Sequence, residues 1–381
     1  MTAVQVAPGH RQALDGLRAL AILAVMLVHA GSPGFHSGWV GVDLFFVLSG
    51  FLITTLLMDE VARSGAVNWP FFMARRALRL TPAYAIYAGF VTGALWLWPG
   101  SVHETASGWS IGEFTAALWT YTINFVPKGG VWNGQGLTVH LWSLAVEQQY
   151  YLVWPLLVLL LHRRLAWLLG LAALLGLVFL IASVLWPSGM AKSAMLCTRG
   201  FSLVLASAVA IAAHRAPERF AAFGVARFVS LLGGLALLAM FALPYLLGWS
   251  EEMVRDRLLP LVVPAFAVWV VRLWYLPSQS WICRTLQRRV LVYVGQVSYG
   301  IYLYHEAIRI GVWVVAKPLM ESWPPALGYG VRLVVYLGLS VALAGLSFKW
   351  IEKPCQNLSR HFRAPRKQAP KSAPEEPLHR S

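Results

Sequence analysis

The chain has 381 residues, of which 58% are hydrophobic and only 12% are charged. This charged share is roughly half that of an average soluble domain, so an ordinary water-soluble fold is excluded. The formal net charge of +15 would favour a nucleic-acid partner in a soluble protein, but here the basic residues lie at the ends of apolar blocks. No basic run carries the interleaved aromatic residues that stack on bases, so no nucleic-acid partner is predicted.

The apolar blocks are each close to the roughly 20 residues that an α-helix needs to cross a bilayer. They predict spans near residues 13–31, 39–59, 82–99, 139–161, 166–186, 196–214, 227–249, 257–274, 294–316 and 326–350. The predicted fold class is therefore all-α, a polytopic membrane protein with about ten transmembrane helices. Residues 1–352 form the predicted transmembrane domain, and residues 353–381, which are basic and rich in proline, are predicted to be a disordered tail.

The orientation follows from the positions of lysine and arginine. Most of those outside the spans fall on the same side of the membrane as the N-terminus, which the positive-inside rule makes the cytoplasmic side. Both termini are therefore predicted to be cytoplasmic. An alternative interpretation of the first block is a signal peptide, because basic residues precede the apolar run Ala19–Val28 and small residues follow it.

The first span carries Arg18 and His29, eleven residues apart. On an α-helix this spacing returns to nearly the same face and advances roughly 16 Å along the axis. A long donor whose anionic head lies at Arg18 and whose reactive end reaches His29 fits this geometry. The alternative is that Arg18 is a positive-inside anchor and His29 an interfacial histidine.

Three arginines, Arg75, Arg76 and Arg79, precede the third span. Arg76 and Arg79 are three residues apart and share a helix face, where paired guanidinium groups match phosphate oxygens. The phosphates of an adenine nucleotide are a plausible ligand. The alternative is a set of arginines that only fixes the topology.

Carboxylates lie inside two predicted spans, where an unpaired charge is costly. Asp43 lies about one turn inside the second span and is interpreted either as a partner of an imidazole or acceptor hydroxyl, or as a helix-start carboxylate. Glu147 lies about two turns inside the fourth span, on the same face as His140. A carboxylate at that depth predicts membership of a site.

Further arginines lie in the outer halves of later spans, namely Arg199 in the sixth, Arg309 in the ninth and Arg332 in the tenth. His305 also lies in the ninth span and is interpreted either as a site residue or as a satisfied core histidine. Glu306 and Arg309, three residues apart, are expected to neutralise one another. These outer residues predict an acceptor-binding site, opposite a donor that enters from the cytoplasm.

Taken together, these residues resemble the membrane acyltransferase-3 family of bacterial O-acyltransferases. The motifs that carry the resemblance, in chain order, are LDGLRALAILAVMLVHA, GWVGVDLFFVLSGFLIT, RRALRLTPAY, HLWSLAVEQQYYLVWP, VSYGIYLYHEAI and FKWIEKP. The resemblance implies a ten-helix fold in a bacterial inner membrane and an acyl-coenzyme A donor, usually acetyl-coenzyme A, bound from the cytoplasm. No metal cofactor is predicted, since the three cysteines, Cys197, Cys283 and Cys355, match no metal-binding spacing.

For individual residues, the resemblance implies that His29 is the essential imidazole, that Arg18, Arg76 and Arg79 serve the donor, and that Glu147 belongs to the site. Gln148 departs from the family, in which a second acidic residue often follows the first. The fused periplasmic hydrolase-like domain of some relatives is also absent from this sequence, which implies direct transfer or a separate partner.

The predicted function is transfer of an acyl group, most often acetyl, to a hydroxyl of a cell-envelope glycan or glycolipid. In the predicted mechanism His29 is the general base, Glu147 or Asp43 steadies the imidazolium, and a buried arginine stabilises the oxyanion. A route through an acyl-histidine remains an alternative. The alternative functions are acylation of a small-molecule natural product, a proton-coupled transporter and an inactive scaffold.

The segment between the third and fourth spans, residues 99–138, is rich in aromatic residues. Within it, residues 111–126 predict an interfacial or re-entrant piece rather than an eleventh span. The aromatic residues of the segment include Trp109, Trp119, Tyr121 and Trp132. They are interpreted either as an interfacial belt or as a lip on which a sugar stacks.

Overall fold

A computed structural model describes residues 8–97, 110–125, 136–185, 196–224, 227–248, 251–275 and 279–362. The described residues form helices and contain no β-strand, which confirms the predicted all-α class. The helices are α1 (Pro8–His29), α2 (Val40–Ser64), α3 (Trp69–Leu97), α4 (Ile111–Trp119), α5 (Leu141–Leu161), α6 (Leu165–Leu185), α7 (Leu196–Arg215), α8 (Pro217–Gly224), α9 (Arg227–Leu247), α10 (Glu251–Tyr275), α11 (Trp281–Leu286), α12 (Arg289–Gln296), α13 (Ser298–Leu319), α14 (Pro325–Ser347) and α15 (Lys353–Leu358).

Eight helical stretches in the described part of the chain are long and apolar enough to cross a membrane. The other two predicted spans are also helical, as α9 and α13. Helix α13 carries His305, Glu306 and Arg309, which lower its hydropathy below that of an ordinary span. Its polar residues face inward, since His305 and Glu306 are fully buried. The chain therefore has the architecture of a polytopic membrane protein.

Helix α3 begins much earlier than the predicted span 82–99. It starts at Trp69 and continues through Pro82. A proline inside a helix removes one backbone hydrogen bond, but neighbouring helices and water re-satisfy the freed carbonyl in membrane proteins. The arginine cluster therefore lies on the helix itself, in rigid continuity with the span.

The first residues of the predicted tail, from residue 353, are helical. A π-helical turn, Phe348–Glu352, leads into α15 and then a 3₁₀ turn, Ser359–Phe362. This end packs on α3, because the ring of Phe362 meets Phe71 with 5.8 Å between ring centroids. The remainder of the predicted tail, residues 363–381, lies outside the described residues.

Helix α1 packs at the centre of the bundle, in contact with α2, α11, α12 and α13. Leu14, Ile22 and Val25 are buried there. The backbone of α11 comes so close that a methyl group at Gly16 would overlap the carbonyl oxygen of Leu286. This packing favours a membrane span over a signal peptide, and it fixes the positions of Arg18 and His29.

Helix α4 is too short to span a bilayer. Its N-terminus is held by a capping box, in which the Ser110 hydroxyl accepts from the Glu113 amide and the Glu113 carboxylate accepts from the Ser110 amide. Tyr121, after the helix, stacks on Tyr84 with 4.2 Å between ring centroids. The stacked face of the Tyr121 ring therefore packs against the protein itself. Trp109 and Trp132 lie outside the described residues.

Candidate functional site

Two clusters of polar side chains lie at different depths along α1. With the predicted orientation, the outer cluster surrounds His29 at the end of α1, and the inner cluster surrounds Arg18 near its beginning. Arg18 and His29 are eleven positions apart, which corresponds to about 16 Å along the helix axis. The two clusters therefore lie at the ends of one rigid element.

The outer cluster brings His29 together with His305 and Glu306 of α13. The Nε2 atom of His29 lies 3.7 Å from Oε1 of Glu306, and Nε2 of His305 lies 3.6 Å from the same oxygen. The two imidazole rings meet edge to face, with 5.0 Å between their centroids. His305 and Glu306 are fully buried, whereas the side chain of His29 keeps 27% exposure. His29 is thus the accessible member of the cluster.

The backbone fixes the orientation of both imidazoles. Nδ1 of His29 donates to the carbonyl of Val25 at 2.8 Å, and Nδ1 of His305 donates to the carbonyl of Tyr302 at 2.6 Å. A carbonyl oxygen only accepts, so Nδ1 carries the proton in each ring. In the neutral imidazole the lone pair therefore lies on Nε2, the atom that faces Glu306.

Glu306 is itself held in place. Its Oε2 atom accepts from Nε and Nη2 of Arg309, at 3.0 and 2.8 Å. The predicted pairing of Glu306 with Arg309 is therefore present. However, it uses only one carboxylate oxygen, and among the described residues Oε1 has no hydrogen-bond partner. The pairing leaves Oε1 directed at the two histidines.

His140 supports this cluster from α5. Its Nε2 donates to the carbonyl of Leu303 at 3.1 Å, and its ring lies 4.9 Å from that of His305. Tyr302 donates to the carbonyl of His140 at 2.9 Å. These bonds join the start of α5 to the middle of α13.

The inner cluster contains the predicted donor-binding arginines. Arg18 pairs with Asp15 at 3.0 Å. The guanidinium of Arg76 lies 5.5 Å from the ring centre of Phe72, and its Nε atom has no hydrogen-bond partner in the described part of the chain. No described carboxylate lies within 4.0 Å of Arg76 or Arg79. Two positive charges at this depth without an ion pair suit an anionic ligand.

Arg75 was also predicted to bind the donor, but its guanidinium contacts other groups of the protein. Its Nη2 pairs with Glu60 at 2.7 Å, and its Nη1 donates to the carbonyl of Phe362 at 2.6 Å. The other oxygen of Glu60 accepts from the amide of Asn68. Arg75 therefore joins α2 and α3 to the 3₁₀ turn at Phe362, and its guanidinium already binds groups of the protein itself.

Glu147 lies with the inner cluster and not beside His29. It accepts a short hydrogen bond from the hydroxyl of Ser49, and the charges of Arg18 and Arg79 act on it. Glu147 is seven residues beyond His140, about 10 Å further along α5. The carboxylate against His29 is consequently Glu306, so the expectation that Glu147 steadies the imidazolium does not match its position.

Asp43 forms a second buried ion pair. Its Oδ2 lies 3.4 Å from Nη1 of Arg199, and its Oδ1 accepts from Ser202 at 3.2 Å. The guanidinium of Arg199 also lies between the rings of Trp39 and Trp142, at 5.5 and 5.3 Å. This environment matches a structural pair that joins α2 to α7, rather than the predicted roles at an imidazole and in acceptor binding.

Arg332 lies on α14, where its guanidinium packs 5.3 Å from the ring centre of Trp313 and its Nε donates to the carbonyl of Gly328. It borders an apolar groove of about 440 Å³ between α13 and α14. Arg332 therefore packs about one helical turn beyond Arg309 along α13, and among the described residues no hydrogen bond or ion pair joins it to His305 or Arg309. His305 and Arg309 remain together in the outer cluster.

Sequence reasoning did not assign Glu306 to the site. The signal was present, because Glu306 directly follows His305 in a span. The three-residue spacing between Glu306 and Arg309 suggested that the two charges cancel. Spacing alone does not show that Arg309 binds only one of the two carboxylate oxygens.

Comparison with known proteins places the chain in a family. The family model described as "Acyltransferase domain" matches residues 11–345. The Bacillus subtilis protein named "Putative peptidoglycan O-acetyltransferase YrhL" is 29% identical over 364 residues, covering 90% of this chain and 54% of the relative. Peptidoglycan O-acetyltransferase OatA of Listeria monocytogenes is 28% identical over 359 residues, covering 90% of this chain and 55% of the relative. The chain thus spans about half the length of these relatives. No solved structure matches it significantly.

Proposed function

Because the chain belongs to this acyltransferase family, we propose that it transfers an acetyl group from cytoplasmic acetyl-coenzyme A to a hydroxyl of a cell-envelope glycan. The proposed setting is a bacterial inner membrane, with the donor on the inner side and the acceptor on the outer side. The names of the two relatives make peptidoglycan the first acceptor to test.

The observation that carries this proposal is the arrangement along α1. The lone pair of His29 Nε2 lies at one end of the helix, and the guanidinium groups of Arg76 and Arg79, which pair with no described carboxylate, lie near Arg18 at the other. The phosphates of coenzyme A suit the arginines, and its extended pantetheine arm has a length comparable to the separation. The thioester would then lie near His29.

The proposed chemistry uses His29 as general base. Its Nε2 takes the proton from the acceptor hydroxyl while the hydroxyl oxygen attacks the thioester carbonyl carbon. The negative Oε1 of Glu306, 3.7 Å away, stabilises the imidazolium that forms. The carbon–sulfur bond then breaks, and the leaving thiolate recovers the proton from His29. The route through an acetyl-histidine differs in forming an acetyl–Nε2 bond first.

The test measures binding and consumption of labelled acetyl-coenzyme A by the purified protein in detergent, with and without peptidoglycan fragments. We expect His29→Ala to bind the donor without turning it over, and the variant with both Arg76→Ala and Arg79→Ala to lose binding. A matched control replaces Arg163 and Arg164, which are exposed arginines between α5 and α6. Failure of the wild type to bind or consume any acyl-coenzyme A, even with membrane extract as acceptor, would refute the proposal.

A further inference from the structure

Three lone-pair atoms of the outer cluster point at one position. Nε2 of His29, Nε2 of His305 and Oε1 of Glu306 all lie within 4.8 Å of one another. The two nitrogens are 3.7 and 3.6 Å from the shared oxygen. In a tetrahedral zinc site with bond lengths of about 2.0–2.2 Å, two ligand atoms are roughly 3.3–3.6 Å apart. The two nitrogen–oxygen distances are within a few tenths of an ångström of that range, and a small rotation of the His29 side chain, the accessible member of the cluster, would bring the two nitrogens to it.

All three atoms are acceptors when both imidazoles are neutral. Each Nδ1 already donates to a backbone carbonyl, and Oε2 of Glu306 is taken by Arg309. Within the described part of the chain, His305 Nε2 and Glu306 Oε1 have no hydrogen-bond partner. A single proton bridges only two of these atoms, whereas a metal ion binds all three.

We propose that His29, His305 and Glu306 form a binding site for a divalent transition metal of the zinc class, and that the bound metal inhibits the protein. Two imidazole nitrogens and one carboxylate oxygen are ligands that zinc accepts, whereas calcium and magnesium prefer oxygen alone. The backbone carbonyls orient the two imidazoles and Arg309 orients the carboxylate, as the hydrogen-bond partners of metal ligands do in other metal sites. One tetrahedral position is left for water.

The inhibitory half of this inference rests on the proposed function. A metal on Nε2 of His29 occupies the lone pair that would take the acceptor's proton, so transfer would stop while the metal is bound. The binding half does not depend on that function, because it follows from the three ligand atoms alone.

Binding is tested on the full chain in detergent, with any affinity tag removed and metal stripped by a chelator. Co²⁺ is titrated while its visible absorption is followed, because tetrahedral Co²⁺ absorbs far more strongly than octahedral Co²⁺, and Zn²⁺ is then added to displace it. We expect one metal per chain with a tetrahedral spectrum. Absence of stoichiometric binding, or only an octahedral spectrum, would overturn the site, and this result needs no variant to fold.

Variants then locate the metal. We expect His305→Ala and Glu306→Gln each to lose the tetrahedral spectrum while keeping the size-exclusion profile of the wild type. The matched control is His162→Ala, because Nδ1 of His162 also donates to a backbone carbonyl, at 2.7 Å, but no described carboxylate pairs with it. A spectrum that survives in both site variants and disappears in His162→Ala would place the metal elsewhere.

Inhibition is tested by following acetyl-coenzyme A consumption of the wild type during titration with Zn²⁺. We expect loss of activity with a midpoint equal to the dissociation constant from the binding experiment, recovery on adding chelator, and no effect of Mg²⁺. Full activity at saturating Zn²⁺, or activity that requires Zn²⁺, would overturn the inhibitory half. If Zn²⁺ binds as expected but no donor is ever consumed, the proposed function fails while the metal site stands.

Discussion

Oε1 of Glu306 lies 3.7 Å from Nε2 of His29. Arg309 donates its hydrogen bonds to the other oxygen, Oε2. The carboxylate is thus fixed in position but keeps its charge available to the imidazole. A negative charge at that distance, in a buried setting, stabilises an imidazolium much more than it would in water. This is the arrangement that a general-base histidine requires.

Replacing Glu306 with Gln tests this relationship. The amide keeps the shape of the side chain and an oxygen that accepts from Arg309, but it removes the charge. We expect kcat for acetyl transfer to fall by roughly a hundredfold, within the range that acid–base partners contribute, with donor affinity unchanged. The measurement is steady-state kinetics beside a donor-binding assay. An unchanged kcat in a correctly folded variant would remove Glu306 from the mechanism.

The inner arginines predict a specific pattern of donor selectivity. If Arg76 and Arg79 bind the phosphates, the wild type should prefer acetyl-coenzyme A strongly over acetyl-pantetheine, which lacks the nucleotide. We expect that preference to fall at least tenfold when both arginines become Ala, since charge-assisted phosphate contacts are each worth about 1.5–3 kcal/mol. Competition binding with both compounds measures it. The Arg163 and Arg164 control should keep the preference, and a loss of equal size there would indicate only a general charge effect.

Glu147 should behave differently from Glu306. It lies among the charges of Arg18 and Arg79, so removing its negative charge makes the inner cluster more positive. We expect Glu147→Gln to bind acetyl-coenzyme A a few-fold more tightly, with a steeper dependence on salt, and to lose less kcat than Glu306→Gln. Parallel kinetics of the two variants decide the matter. A larger loss of kcat in Glu147→Gln would restore the catalytic role predicted from the sequence.

Much of the fold could be predicted from the sequence because hydropathy and helix periodicity are local properties. The lengths of the apolar blocks gave the helices, and the cost of burying charge pointed to His29 and Glu147. The helix that runs through Pro82 and the helical turns between residues 353 and 362 are harder to predict, since they depend on tertiary contacts such as the pair Arg75–Glu60.

Pairing across helices could not be predicted, because it depends on packing between residues far apart in the chain. His29 and Glu306 meet only because α1 packs against α13. Likewise Asp43 pairs with Arg199, a residue of α7. The sequence therefore points to side chains that are costly to bury, whereas their partners follow from the packing of the helices.

The stability of the short helix α4 is expected to depend on pH. The pKa of Glu113 is lowered from its usual value of 4.5, chiefly because its carboxylate accepts a hydrogen bond from the Ser110 amide. A lowered folded-state pKa stabilises the cap above the unfolded pKa, and this stabilisation is lost as the pH falls through the folded pKa. Hydrogen exchange of α4 amides, compared between wild type and Glu113→Gln, should show a difference at neutral pH that disappears in acid. A difference independent of pH would contradict this account.

The pair Asp43–Arg199 predicts a loss of stability rather than a loss of chemistry. Both groups are buried, so Asp43→Asn leaves the guanidinium of Arg199 without its carboxylate. Removing one partner of a buried ion pair typically costs about 3–5 kcal/mol, so we expect a clear drop in the thermal unfolding temperature in detergent. Combining Asp43→Asn with Arg199→Met should restore part of it, because neither charge is then left alone. If Asp43→Asn instead keeps the unfolding temperature of the wild type and abolishes acetyl transfer, Asp43 acts in the chemistry, as the sequence first suggested.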